Sequence, residues 1–358
     1  MIFLLLIVIF ISFKDAKFVE GNRLEGNFYT DYMSIEQTSA INGIFALLIF
    51  LSHSTGYLEL EGTGPINDLY FVVRYYLMQL VVVTFLFYSG YGIMLSIMKK
   101  GHEYVKHFPR DRFLKVLIML DAAVILYFIM GMILDNHFAV SQVLLSLIGL
   151  QDLGNSNWYI FLILIMYVVT YIAFMICRKN NLIGILLVFI LTAAYIYIGQ
   201  VTELPSRFWN TAIMYPVGML YAYFKEPIDK FVMKNNLVYS ICFVLAFAIF
   251  QVGYFTRDTG IFCYSVFCFG FMMCVVLFTM KVKVYNSLIF YLGKNLFPFY
   301  MLQRLPMLAM AMAVPDFINA HPYLFMVISF VITMCIAIPF QKFIDWFPLT
   351  RKKVAGGK

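Results

Sequence analysis

The chain has 358 residues, of which 63% are hydrophobic and 13% charged, and its mean hydropathy is +0.85. Soluble domains run at about 45–50% apolar and about 25% charged, so a cytosolic enzyme, a disordered scaffold and a small disulfide-stapled secreted protein are all excluded. The net charge of +7, from 26 Lys+Arg against 19 Asp+Glu, fits basic loops flanking membrane spans and calls for no nucleic-acid partner.

Met1–Phe13 is almost wholly apolar but short for a span. No basic stretch precedes it and no small-residue cleavage motif follows, which predicts an N-terminal anchor helix and not a signal peptide. A polar linker follows, to about Ser34. Ser34 and Gln37, as S-x-x-Q, read as a capping box that opens the first long helix.

Ten apolar runs then read as spans, at about 38–58, 69–98, 113–134, 157–177, 182–200, 208–224, 237–255, 261–280, 294–313 and 321–342. None alternates with period 2, so the spans are helices and not barrel strands. The predicted fold class is all-α: a polytopic integral-membrane helix bundle of about ten transmembrane helices plus the short N-terminal hydrophobic segment. Phe138–Leu150 reads as an interfacial or re-entrant helix, and Lys283–Leu292 as a similar piece at the other end. The chain divides into 1–37 (hydrophobic segment and linker), 38–342 (membrane domain) and 343–358 (basic tail).

Loop charge sets the expected sidedness. Lys99, Lys100, Lys106, Arg110, Arg112 and Lys115 share one loop; Arg178/Lys179, Lys225/Lys230/Lys234, Lys281/Lys283 and the tail follow at alternate crossings. The intervening loops are poor in basic residues and hold Glu59, Glu61, Asp68, Asp135, Asp152, Glu203, Asp258 and Asp316. The positive-inside rule puts residue 38 and the C-terminus in the cytoplasm. The six cysteines lie in or at the ends of apolar runs without a CxxC pair and read as packing residues.

Ionisable groups at membrane depth are costly and are functional candidates. His53, flanked by Ser52 and Ser54, leads them. Asn42 lies eleven residues earlier; eleven steps of about 100° return to nearly the same azimuth, about 16 Å away along the axis. The two therefore share a face at different depths, as a groove across the membrane requires. Imidazole is the usual general base near neutral pH; the competing reading is a histidine hydrogen-bonded between packed helices. Arg112 and Lys115, three apart on one helix face, form a basic patch with Arg110 that suits a phosphorylated ligand or simply obeys the loop-charge rule. Asp121 and Arg304 read as a helix–helix hydrogen-bond partner and its counter-ion, with Arg304 also suited to an acyl or glycan group. His102, His107, His137 and His321 show no metal-ligand spacing, and no metal is expected. No GxSxG, Walker A, HExxH or post-strand GxGxxG motif is present.

Several segments resemble the acyltransferase family 3 membrane proteins. Ser39 through His53 resembles the family's opening helix, in which a basic residue, ten intervening residues and a histidine form the signature. Phe85-Leu86-Phe87-Tyr88-Ser89-Gly90-Tyr91 resembles its aromatic-Ser-Gly segment. Arg112-Phe113-Leu114-Lys115 matches its Arg-x-x-Arg motif, Asn157-Trp158-Tyr159-Ile160 its Trp-aromatic start of the fourth span, and Leu292-Gly293-Lys294 through Phe299-Tyr300-Met301-Leu302 its late LGK…YL segment. Asn42 departs from the family by replacing the usual Arg or Lys. Lys115 keeps a charge but loses the second guanidinium fork, and Gln303-Arg304 falls where many members carry a histidine.

The resemblance implies acyl transfer, usually acetyl, from cytoplasmic acyl-CoA to a hydroxyl of a cell-surface or lipid-linked glycan in a bacterial cell membrane. His53 would be the essential histidine, acting as base or acyl carrier. Arg110, Arg112 and Lys115 would hold the CoA phosphates, with Asn42, Ser89, Trp158, Arg304 and Asp121 in supporting places. Acetyl-CoA, or another acyl-CoA, would be a co-substrate. The alternative is a glycan or lipid transporter or flippase without covalent chemistry.

Overall fold

A computed structural model describes residues 1–19 and 26–347; of the tail, Arg351, Lys352, Lys353 and Lys358 lie outside the described residues. The helices are α1 (Ile2–Phe13), α2 (Ile35–Ser54), α3 (Pro65–Leu77), α4 (Leu80–Lys100), α5 (His102–Phe108), α6 (Lys115–Ile133), α7 (Val140–Leu147), α8 (Trp158–Ile176), α9 (Asn181–Val201), α10 (Met214–Tyr223), α11 (Lys225–Val232), α12 (Asn236–Thr256), α13 (Ile261–Lys281), α14 (Ser287–Lys294), α15 (Leu296–Leu302), α16 (Arg304–Ala313), α17 (Pro315–Ala320) and α18 (Pro322–Trp346). The protein is an all-α polytopic membrane bundle, and eight helical runs among the described residues are long and apolar enough to cross a bilayer. The only sheet among them is a two-residue antiparallel pair, β1 (Lys17–Phe18) with β2 (Val282–Lys283), in which Lys17 faces Lys283.

The loops segregate by charge. At one end, here the basic end, Lys283 pairs with Asp31, Lys115 with Asp345, and Lys225 with Asp229. At the other, the acidic end, Tyr76 meets Gln251 and Tyr254, while Arg304 lies near Asp152. The N-terminal segment forms α1, as expected. Its Met1 amine bonds Asn67 and Tyr323 at the acidic end, and the strand beyond it pairs at the basic end. Phe3, Leu6, Ile7 and Phe10 stay exposed on its outer face.

Three expected spans are interrupted, each for a local reason. The run at 69–98 breaks at Met78, whose φ of 43° ends α3. α3 stays at the acidic end, with Tyr70 and Phe71 buried and Ile66, Leu69, Val72 and Tyr75 exposed, leaving α4 as the crossing. The runs at 208–224 and 294–313 form α10, α15 and α16, and each of these helices carries a proline at its third position: Pro216, Pro298 and Pro306. Proline lacks the N–H a continuous helix needs, but the first turn has no use for that donor. The freed carbonyls between α15 and α16 are taken up locally. The Tyr127 hydroxyl donates to Met301 O at 3.0 Å and Gln303 Nε2 to Tyr300 O at 3.2 Å. This is how broken helices persist at membrane depth.

Glycines bring three helix pairs into backbone contact. A Cβ at Gly43 would collide with the Ile289 carbonyl, and one at Gly293 with the Ser39 carbonyl, so α2 and α14 cross at a shared glycine point. Gly90 and Gly218 do the same for α4 and α10, and Gly253 and Gly270 for α12 and α13. Small residues permit such approaches where no hydrophobic drive separates protein from lipid. Lys283 ends β2, and the chain then turns into α14, which is packed against α2.

The capping box forms by half. Ser34 Oγ accepts from Gln37 N at 3.3 Å. The Gln37 side chain turns away: its Nε2 donates to Val284 O at 3.0 Å and its Oε1 accepts from Val284 N at 3.1 Å. The second half of the motif thereby ties α2 to the chain after β2.

Candidate active site

His53 lies one residue before the end of α2, at the acidic end of the bundle. Its Nδ1 is buried without a hydrogen-bond partner. Two guanidiniums, those of Arg304 and Arg74, are the charged groups acting on it. Arg304 Nε donates to the Tyr57 hydroxyl at 3.2 Å, and Arg74 Nε to Ser52 Oγ at 3.0 Å. The serine before His53 therefore holds one of its two cationic neighbours. The Tyr300 ring lies 6.3 Å from the imidazole, centroid to centroid.

Below Tyr300 the aromatic side chains continue towards the basic end. Tyr159 is 5.5 Å from Tyr300, ring to ring, and interacts electrostatically with Tyr167. The Tyr167 hydroxyl lies by Ser89 and by Arg112. Thr170 and Tyr215 share a hydrogen bond at 2.9 Å. Arg112 faces Tyr104, Tyr167 and Tyr215, and its Nε donates to Tyr104 OH at 3.0 Å. Hydroxyls thus form a column from Arg112 at the basic end to His53 at the other.

Arg110 and Arg112 sit on a π-helical turn, Pro109–Leu114, between α5 and α6. Such turns re-aim side chains and recur at functional sites. Arg112 and Arg110 are both exposed. Lys115 is drawn aside to Asp345 at 3.3 Å. The two charged residues of the Arg-x-x-Lys motif therefore point to different partners, which equal spacing on a regular helix does not predict.

The remaining candidates divide. Ser89 and Trp158 stand along the column or at its acidic-end mouth. Asn42 Oδ1 is buried and unpartnered on the His53 helix. Asp121 Oδ1 is also unpartnered, and among the described residues it makes no ion pair with Arg304, whose carboxylate neighbour is Asp152. No cluster of three or more metal-ligating side chains occurs among the described residues.

A cavity of about 290 Å³ opens at the acidic end, lined by Trp158, Arg207, Asp152, Asn157 and Gln142 among others. Its floor is the loop Gln151–Asn157, fixed internally. Asn155 donates to Asn157, Leu153 N to Asn155 Oδ1 at 3.0 Å, Asn157 Nδ2 to Gln151 O at 2.8 Å and Gln142 Nε2 to Asp152 O at 2.9 Å. The loop carries Asp152 to Arg304 and Ser156 to Tyr300. Arg207 acts on Tyr300 from the cavity side. Arg207, Asp152, Tyr57 and Tyr300 escaped sequence reasoning as site residues. One signal for Arg207 was present: a basic residue in a loop that the charge alternation leaves non-basic.

No curated protein and no solved structure matches the chain. The family model of the acyltransferase domain, acyltransferase family 3, matches residues 39–342, a stretch that begins in the first turns of α2, ends within α18 and contains both ends of the hydroxyl column. With a match over that length, the chain belongs to acyltransferase family 3, and it is a membrane acyltransferase.

Proposed function

We propose that the protein moves an acyl group, most simply acetyl, from acyl-CoA at the basic end to a hydroxyl of a cell-surface or lipid-linked glycan at the acidic end, with His53 as general base. The observation that carries this reading is the unpartnered Nδ1 of His53 standing above a column of hydroxyls that starts at Arg112. The positive-inside rule assigns the basic end to the cytoplasm, where acyl-CoA is found, and the C-terminus with it; the family resemblance implies a bacterial cell membrane.

Arg112 offers a planar fork to the CoA phosphates, with Arg110 adding charge and Lys115 partly engaged by Asp345. The pantetheine arm follows the tyrosines past Ser89 to Tyr159 and Tyr300. The acceptor hydroxyl reaches His53 from the acidic end. His53 takes the hydroxyl proton, the oxygen bonds to the thioester carbonyl carbon, and the C–S bond breaks. The CoA thiolate recovers the proton from the imidazolium, which restores neutral His53. Arg304, held by Tyr57 beside His53, is the donor assigned to the negative charge that develops on the carbonyl oxygen, a contribution of about 3–4 kcal/mol where a single donor has been removed elsewhere.

The test uses purified protein in lipid nanodiscs with radiolabelled acetyl-CoA. Thiol release that His53→Ala abolishes, at unchanged protein level and melting temperature, supports the reading. Equal release by the variant, or none by the unaltered protein with any hydroxyl acceptor, refutes it.

A further inference from the structure

Charge at the acidic end is unevenly placed. Its loops carry Glu59, Glu61, Asp68, Asp135, Glu203 and Asp258, yet among the described residues no lysine lies there. Every described Lys/Arg cation at that end is an arginine: Arg74, Arg207, Arg257 and Arg304. Arg257 is accounted for, since it stacks on Tyr254 at 4.1 Å and lies 3.7 Å from Asp258. The other three converge on one place. Arg74 and Arg304 act on His53, and Arg207 acts on Tyr300 beside it and lines the cavity with Trp158. None of the three is ion-paired among the described residues, and Asp152 is the one carboxylate that both lines the cavity and acts on Arg304. Three guanidiniums thus stand around His53 and Tyr300, Arg74 and Arg304 half-buried and Arg207 exposed at the cavity that Asp152 also lines.

Uncompensated cations in a partly desolvated site favour an anion strongly, because the local dielectric is low. Arginine, and not lysine, is the side chain whose fork matches carboxylate and phosphate oxygens. The phosphates of CoA are not the missing anion, since on the acyl-transfer reading they dock at Arg112, at the far end of the bundle. Trp158 supplies a flat apolar surface suited to the apolar face of a sugar ring. About 290 Å³ is at the small end of ligand sites, room for little more than the reacting sugar unit.

We infer that the acceptor brought to His53 is an anionic saccharide, one bearing a carboxylate or phosphate near its reactive hydroxyl. Arg207 and Arg74 hold the anion while Trp158 supports the ring. This rests on the acyl-transfer reading for the word acceptor; the anion site itself does not.

The test is binding of three trimeric probes to the protein in phosphatidylcholine nanodiscs: trigalacturonic acid, a glycerol phosphate trimer and neutral galactotriose. At least one anionic trimer should bind about 10-fold or more tighter than the neutral one, with an advantage that shrinks at high salt. Arg207→Gln should lower that affinity about 10-fold and leave galactotriose unchanged. Weak or absent binding of both anionic trimers, equal binding of the neutral trimer, or an unaltered Arg207→Gln each overturns the inference. Discs containing phosphatidylglycerol make the second arm: lipid-dependent stabilisation of the unaltered protein but not of Arg207→Gln, without trimer binding, assigns the arginines to headgroups and overturns it likewise. Trimer binding without thiol release from acetyl-CoA would instead sink the enzyme reading and leave the anion site standing.

Discussion

The imidazole of His53 and the ring of Tyr300 face each other at 6.3 Å, tilted by 54°. They come from helices far apart in sequence, α2 and α15, and Tyr300 also touches Tyr159 at 5.5 Å. Tyr300 is thus the hinge between the histidine and the column below it. Its ring supplies packing, whereas its hydroxyl, lying towards Ser156, supplies polarity. Tyr300→Phe keeps the ring and removes the hydroxyl. It should lower kcat about 10-fold at an unchanged melting temperature. An equal kcat for Tyr300→Phe and the unaltered enzyme would leave the hydroxyl without a role.

His53→Gln preserves a side chain of similar reach but removes the titratable base. General-base catalysis contributes about 10²–10⁴-fold. Loss of that order in kcat, with acetyl-CoA affinity retained, is the expected result. Measuring acetyl-CoA binding to the inactive variant separates a chemical role from a collapsed site.

At the basic end the structure ranks two residues that the sequence treats alike. Arg112 faces Tyr104, Tyr167 and Tyr215 and makes no ion pair among the described residues, whereas Lys115 is 3.3 Å from Asp345. Arg112→Gln should raise the KM for acetyl-CoA about 10-fold, and Lys115→Gln by no more than about 3-fold, since one charge-assisted hydrogen bond is worth roughly 1.5–3 kcal/mol and a diverted one less. Arg112→Lys should fall between them, because the charge remains and the fork does not. KM values measured on the three variants decide the order.

Much of this molecule is legible in its residues. Long apolar runs and alternating loop charge give the all-α bundle, and Ser34 does cap α2. Ser52-His53-Ser54 marks the candidate histidine because polar side chains are rare at that depth. What escapes are consequences of tertiary contact. Pro216, Pro298 and Pro306 shorten three helices, yet a proline in an apolar run is also compatible with a kinked span. Gln37 reads as a capping partner because nothing local reveals that Val284 will meet it. The aromatic column is hidden for a compositional reason. With 25 tyrosines in the chain, those at Tyr159, Tyr167 and Tyr300 carry no mark that sets them apart until the fold aligns them. Arg207 was visible in principle, as a cation on the wrong side of the charge alternation.

The Gly43–Gly293 crossing links packing to the site. α14 can lie against α2 only because neither position has a Cβ. A methyl at Gly293 would fall within the Ser39 carbonyl oxygen, and one at Gly43 within that of Ile289. Both obstacles are backbone, so neither can rotate away, and the helices must separate. α14 leads through Asn295 directly into α15, which carries Tyr300. Displacing α14 therefore shifts Tyr300 relative to His53. Gly293→Ala should destabilise the protein by about 1–3 kcal/mol, the usual cost of overpacking. It should also lower kcat by more than the loss of folded protein explains, because near-attack geometry tolerates little displacement. Gly92→Ala is the control: a Cβ there meets nothing within 4 Å, and alanine is the better helix former by about 1 kcal/mol. Gly92→Ala should melt at or above the temperature of the unaltered protein. Thermal unfolding in nanodiscs and kcat per folded molecule, measured on both variants, test the link. A Gly293→Ala enzyme with full kcat per folded molecule would show that α14 supports the fold without setting the distance between Tyr300 and His53.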